Sequence, residues 1–118
     1  MKKVLVCGSR HWKQWKKLKD RLDYIPGPFH IVEGGAAGAD TMARQYAIGR
    51  KLPYTEVPAD WKTFGKSAGP IRNGVMLDML DAKTDEVIGF HEDFENSKGT
   101  KDCVLEARRR GISTEIVS

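Results

Sequence analysis

Ile31-Val32-Glu33-Gly34-Gly35-Ala36-Ala37-Gly38-Ala39-Asp40-Thr41-Met42-Ala43 runs from a β-branched stretch through three glycines into a helical pattern without a break. A strand that turns on glycines straight into a helix presents unpaired backbone N–H groups at a positive helix end, a seat for phosphate. The glycines do not fall at the spacing of a dinucleotide fingerprint, and no Gly-Lys-Ser/Thr follows as in a phosphate-binding P-loop. The same order of parts recurs along the chain. Lys3 to Cys7 reads as a first strand, apolar on both faces as a parallel strand is. Trp12 to Tyr24 reads as a helix with Trp15, Leu18 and Leu22 at helical spacing, closed by Pro26-Gly27-Pro28.

Phe29 to Glu33 forms the second strand, Ala39 to Lys51 the second helix (Met42, Ala43, Tyr46 and Ala47 inward) and Tyr54 to Val57 the third strand. Pro58 to Pro70 has no clear periodicity, and a stretch of that length in a small domain suits a binding loop or lid. A third helix is expected over Ile71 to Ala82, with Val75, Met76, Met79 and Leu80 inward. Glu86 to His91 is the fourth strand, Thr100 to Arg110 the fourth helix, and Thr114 to Val117 a short last strand. Strands alternating with helices predict one three-layer α/β domain over residues 1–118, with a mostly parallel five-stranded sheet. Ligands of such sheets lie at the carboxyl ends of the strands. All the glycine-rich turns fall there.

Bulk properties narrow the classes. The 118 residues are 40% apolar and 31% charged, which excludes a disordered chain. No apolar run approaches the ~20 residues that span a bilayer, so no membrane partner is expected. Val4-Leu5-Val6-Cys7 stops at Gly8, too short for a signal-peptide core, and a cytoplasmic protein is expected. The net charge is +4. Residues 1–72 hold 14 basic and 6 acidic side chains, residues 73–118 hold 6 and 10, which suits an anionic partner. Lys13, Lys16, Lys17 and Lys19 are a solvated helix face, with Trp12 and Trp15 packing inward, or a contact surface for acidic or nucleic-acid partners. Cys7 and Cys103 have no metal-ligand spacing and read as small core residues; neither a metal nor a cofactor is implied. His11, His30 and His91 are spread out with no metal-binding pattern.

Four junctions carry candidate ligand chemistry. After the first strand, Gly8 allows close approach, Ser9 offers a hydroxyl and Arg10 a guanidinium, or the three simply turn the chain. In the second, Gly34, Gly35, Ala36, Gly38 and Ala39 form a small-residue cradle. There Asp40 either caps the helix or accepts from a ribose hydroxyl. In the third, Arg72 and Asn73 fall in the first turn of a helix opening at Pro70, where a cation opposes the dipole and an anion would justify it; the alternative is an ion pair with Asp78 or Glu92. In the fourth, Ser97 or Thr100 caps a helix, Gly99 admits a ligand and Lys98 adds charge. Asp60 and Trp61, with Phe64, supply either a surface for a base or a lid over the core.

Gly8-Ser9-Arg10, Glu33 to Asp40, Pro58-Ala59-Asp60-Trp61, Ala68 to Asn73 and Ser97-Lys98-Gly99-Thr100 together resemble the YspA-like, cpYpsA-related branch of the SLOG superfamily, over nearly the whole chain. The superfamily is similar to Rossmann-like nucleotide-binding domains, to the LOG-type phosphoribohydrolases and, distantly, to the DNA-processing protein DprA. The resemblance implies a Rossmann-like domain, of bacterial or phage type, that binds, senses or sequesters a nucleotide or nucleotide-derived ligand. Its alternatives are a hydrolase cleaving an N-glycosidic bond and a DprA-like nucleic-acid-binding module. A homodimer is implied by the resemblance alone. Arg72 is similar to the LOG-type arginine and Gly99-Thr100 to the Gly-Thr of their second motif. The position of their catalytic glutamate is Cys103 here, and a thiol cannot stabilise an oxocarbenium-like centre as a carboxylate does. Arg72, Glu33 and Asp40 are the remaining catalytic candidates.

Overall fold

A computed structural model describes all residues, 1–118. Five strands, β1 (Lys2–Gly8), β2 (Phe29–Glu33), β3 (Tyr54–Glu56), β4 (Glu86–Phe90) and β5 (Ser113–Val117), alternate with α1 (Trp15–Asp23), α2 (Ala39–Gly49), a short α3 (Trp61–Phe64), α4 (Ala68–Asp78) and α5 (Gly99–Arg109). The strands lie in the order β3-β2-β1-β4-β5 and every neighbouring pair is parallel. The expected three-layer, Rossmann-like α/β architecture is present, with a sheet that is wholly parallel.

Alternation along β1 divides the core. Val4 and Val6 face the layer of α1 and α2, where Leu18, Leu22, Ala43 and Ala47 meet Ile31, Ile88 and Phe90. Leu5 and Cys7 face the other layer, with Met76 and Leu77 of α4 and Cys103, Val104 and Ala107 of α5. Both faces of the central strands are thereby dry, which is why β1 and β4 read as continuous apolar runs. Both cysteines are buried and free, as small core residues.

Several expectations need correction. The first helix begins at Trp15, so Trp12 precedes it; Trp12 is buried against Phe90 with ring centroids 5.8 Å apart, and Trp15 is 40% exposed. The long stretch after β3 is not structureless. Asp60 accepts from Thr63 N at 3.1 Å and starts α3, and one 3₁₀ turn, Gly65–Ser67, leads directly into α4. That helix opens three residues earlier than expected and closes at Asp78. Pro70 is its third residue, where a missing N–H still costs nothing because the first four amides have no intrahelical acceptor. Met76 and Leu77 face the sheet, while Val75 and Met79, expected inward, are 43% and 37% exposed.

Candidate functional site

Because the sheet is parallel, the loops after β1, β2, β3 and β4 all emerge on one edge. The centre of that edge is the Gly34–Gly38 loop. Gly38 has φ 76°, and a Cβ on it would lie 2.2 Å from Ser9 O, so only glycine lets the loop after β2 pass over the exit of β1. Ala39 N then donates to Ser9 O at 3.1 Å, tying the start of α2 to β1. Gly34 is crowded from the opposite side: its missing Cβ is the space taken by the Arg72 guanidinium, 2.3 Å from that point. Arg72 donates to Gly34 O at 2.6 Å and through Nε to Asn73 Oδ1 at 3.0 Å.

The placement of Arg72 overturns the dipole argument. With α4 starting at Ala68, Arg72 and Asn73 lie in the second turn, away from the free amides of the helix start. Neither ion pair weighed for Arg72 forms, since Asp78 pairs with Arg110 and Glu92 accepts from Ser9. Arg72 spends one N–H on the loop carbonyl and holds the loop from the α4 side.

Two carboxyls hold it from beneath. Asp40 Oδ2 accepts from Gly34 N at 3.1 Å and Ala36 N at 3.3 Å, and Glu33 Oε1 accepts from Gly35 N at 2.6 Å. The amides of Gly34, Gly35 and Ala36, expected to be open to phosphate, are therefore occupied by the protein's own acids. Asp40 does not cap α2 through its side chain either; the cap position is Gly38. The amides that donate to nothing in the protein lie just beyond, at Ala37, Gly38, Asp40 and Thr41. Burial raises Asp40 to about 6, against the pull of the Ala36 amide and of Arg72. Burial likewise raises Glu33 to about 7, helped by Asp40 and Glu56. Glu33 is 0% exposed, and its Oε2 has no hydrogen-bond partner.

Around this centre the remaining candidates divide. Gly8 ends β1, and Ser9 is buried with its N–H on Phe90 O at 2.9 Å and its hydroxyl on Glu92 Oε1 at 2.7 Å, so the gap between β1 and β4 is bridged. Arg10 is exposed beside Gly38 and pairs with no acid. Asp60 is the cap of α3, and Trp61 and Phe64 stand 58% and 47% exposed rather than closed over the core. Asn73 Nδ2 donates to Gly99 O at 3.3 Å and to Asp102 Oδ2 at 3.0 Å, coupling α4 to the start of α5. Neither Ser97 nor Thr100 caps α5. The Ser97 hydroxyl donates to Phe94 O, Thr100 is buried, and Lys98 occupies the cap position without a side-chain bond. The amides of Lys98, Gly99, Thr100 and Lys101 are free. Cys103 points into the core at 0% exposure, so the position of the LOG-type glutamate faces no ligand.

Sequence reasoning missed the partners. Glu56 stands opposite Glu33 in the β2–β3 register and pairs with Arg44 at 2.5 Å. An acid closing each of two adjacent strands was the available signal. Glu92 and Asp102, which occupy Ser9 and Asn73, carried no such signal.

Three comparisons relate the chain to known proteins. A 38% identical relative, the Gene 61 protein of Mycobacterium phage D29, aligns over 95% of this chain and 93% of its own length. The fold is similar to that of DNA processing protein A (DprA) from Streptococcus pneumoniae, with a TM-score of 0.78 at 17% identity; the chain is covered completely and spans 50% of that protein's chain. No helix is long and apolar enough to cross a membrane. The sequence pattern of the YspA, cpYpsA-related SLOG family matches residues 2–64, from β1 through the Gly34–Gly38 loop to α3, and the chain belongs to that family.

Proposed function

We propose that the chain binds a nucleotide or nucleotide-derived ligand, with a phosphate seated on the start of α2. One observation carries this reading: the amides of Ala37, Gly38, Asp40 and Thr41 are free at the start of α2, where the backbone of Arg10, whose side chain pairs with no acid, passes Gly38. Amides and dipole there favour an anion, and a guanidinium adds a two-pronged contact. The ligand set proposed from sequence narrows accordingly. Ala37, Gly38, Asp40 and Thr41 contact the phosphate through their backbone amides and Arg10 through its guanidinium, while Gly34, Gly35, Ala36, Ala39, Arg72 and Asn73 shape the seat. Lys98, Gly99 and Thr100 offer a second, more open set of amides, and Trp61 a face for a base.

The test is thermal stabilisation across a panel of nucleoside mono-, di- and triphosphates and dinucleotides, with native mass spectrometry of freshly purified protein. A stabilising nucleotide whose effect disappears in Arg10→Ala, at unchanged stability of the free protein, supports the reading. An unaltered shift in that variant removes Arg10 from the site, and no shift across the panel removes the reading.

A second reading has its own observation. Lys62 and Lys66 have no acidic partner and flank the exposed Trp61 and Phe64, the combination that holds single-stranded nucleic acid by charge and stacking. Oligonucleotide binding that weakens steeply with salt and with Trp61→Ala would favour it. For the homodimer, Ile71 and Val75, exposed at helical spacing on α4, with Met79 just past its end, are the face we assign. A monomeric mass at working concentration removes that assignment.

A further inference from the structure

The Gly34–Gly38 loop rests on a group that its hydrogen bonding does not account for. Glu33 closes β2 pointing into the α2 layer, fully shielded from solvent, with Oε1 on Gly35 N and Oε2 on nothing. A buried charged carboxylate with a vacant lone-pair side is costly, whereas the neutral acid is tolerated. The groups facing it come from every element nearby. Across the ladder on β3 is Glu56, already paired with Arg44 of α2, and from α2 comes Asp40; Arg72 of α4 acts on Asp40 and bonds the Gly34 carbonyl. Three acids thus share two arginines, and neither arginine bonds Glu33. Glu33 and Asp40 grip consecutive amides of a single loop, whose far end carries the free amides of the anion seat.

We propose that Glu33 and Asp40 make this seat proton-linked: an anion on the α2 amides binds together with a proton taken up from solvent by the carboxyl pair beneath the loop. The inference deepens the anion-site reading above and rests on it. Its logic is reciprocity. A negative ligand a few residues from two buried acids disfavours their charged forms, so protonated acids must favour the ligand by the same factor. With Glu33 raised to about 7 and Asp40 to about 6, the change falls between mildly acidic and neutral pH. Affinity is highest below that window and falls as pH rises through it.

Sulfate is a suitable probe, because its own charge is constant across the range. Backbone amide shifts of Ala37, Gly38, Asp40 and Thr41 are followed during sulfate titrations at pH 6, 7 and 8, in the wild type and in Glu33→Gln. The expected result is an affinity that drops about fivefold from pH 6 to pH 8 for a one-unit rise of either acid on sulfate binding, and a flattened dependence in the variant. Equal wild-type affinities at pH 6 and 8, or the same dependence in Glu33→Gln, would overturn the proton linkage and leave the anion seat standing. No movement of these amides at any pH removes the seat itself. If Glu33→Gln does not fold, the side-chain carboxyl resonance of Glu33 in the wild type decides: a midpoint near 7 that moves up with sulfate supports the linkage, and an ordinary glutamate midpoint ends it.

Discussion

The turns after β2 and β4 flank β1 on the same edge of the sheet, both rich in small residues and both leading into eleven-residue helices, yet they are built differently. After β2 the chain is gripped from both sides: Arg72 holds a carbonyl from α4, Asp40 and Glu33 hold three amides from below, and Gly38 passes within contact of Ser9. After β4 the turn is open. Gly99 has no positive φ and nothing within 4 Å of its missing Cβ, and the first amides of α5 are free. Similar composition therefore conceals a preformed cradle in one place and a surface turn in the other.

The sharpest way to break this contrast is at Gly38. Gly38→Ala demands a side chain at φ 76° with its Cβ 2.2 Å from Ser9 O, a point that backbone, not a flexible side chain, occupies. Strain and overlap together are expected to cost roughly 3 kcal/mol or more. Urea denaturation should show a large fall in midpoint, and a fall below about 1 kcal/mol would mean the two loops are not pressed together.

Glu33 gives an effect of similar size that appears only with pH. Its folded value of about 7 lies above the unfolded 4.5, so between these the native state holds more protons than the unfolded chain. Stability then falls as pH rises through that window, by roughly 3 kcal/mol at 1.36 kcal/mol per unit. Glu33→Gln keeps the acceptor for Gly35 N and removes the titration. The stability difference between variant and wild type should therefore shift toward the variant by about that amount from pH 4 to pH 8. A constant difference would show that Glu33 is not the buried acid described. Asp40, raised from 3.8 to about 6, contributes with the same sign at lower pH.

Arg72→Ala tests the grip from α4. Loss of its 2.6 Å bond leaves the buried Gly34 carbonyl unpaired and is expected to cost about 1–3 kcal/mol, with the largest amide shifts at Gly34 and Gly35. A cost near zero, with those amides unmoved, would reduce Arg72 to a bystander.

What was legible before any coordinates follows from which signals are local. β2 spans Phe29 to Glu33 as its β-branched run into the glycines predicts, and α2 begins at Ala39, because turn chemistry and periodicity sit in neighbouring residues. The start of α4 lies three residues before the expected Ile71 because Pro70, suited to a helix's first turn, is as harmless at its third residue. The Asp60-to-Thr63 cap that opens the preceding turn is a three-residue signal inside a stretch read as loop. That shift of three residues took Arg72 off the helix start, and the buried face runs through Asn73, Met76 and Leu77 rather than Val75 and Met79. The cradle itself was recognisable from Gly34, Gly35 and Gly38. Which of its amides are free was not, because that depends on where the carboxyls of Glu33 and Asp40 fold back, a matter of side-chain geometry that spacing does not specify.

The smallest expected effect completes the contrast. Gly99→Ala places a methyl where no atom lies within 4 Å, at the first residue of α5 with an ordinary negative φ. Nothing must move, and alanine restricts the unfolded chain more than glycine does. The change should fall between zero and a gain of about 1 kcal/mol, against the large loss at Gly38. Its value lies in pairing it with ligand. If Gly99→Ala leaves stability alone but weakens nucleotide-induced thermal stabilisation, the open turn is glycine for the ligand's sake, and the α5 amides belong to the site. If binding is also unchanged, the cradle after β2 acts alone, and the free amides after β4 are only the exposed end of a helix.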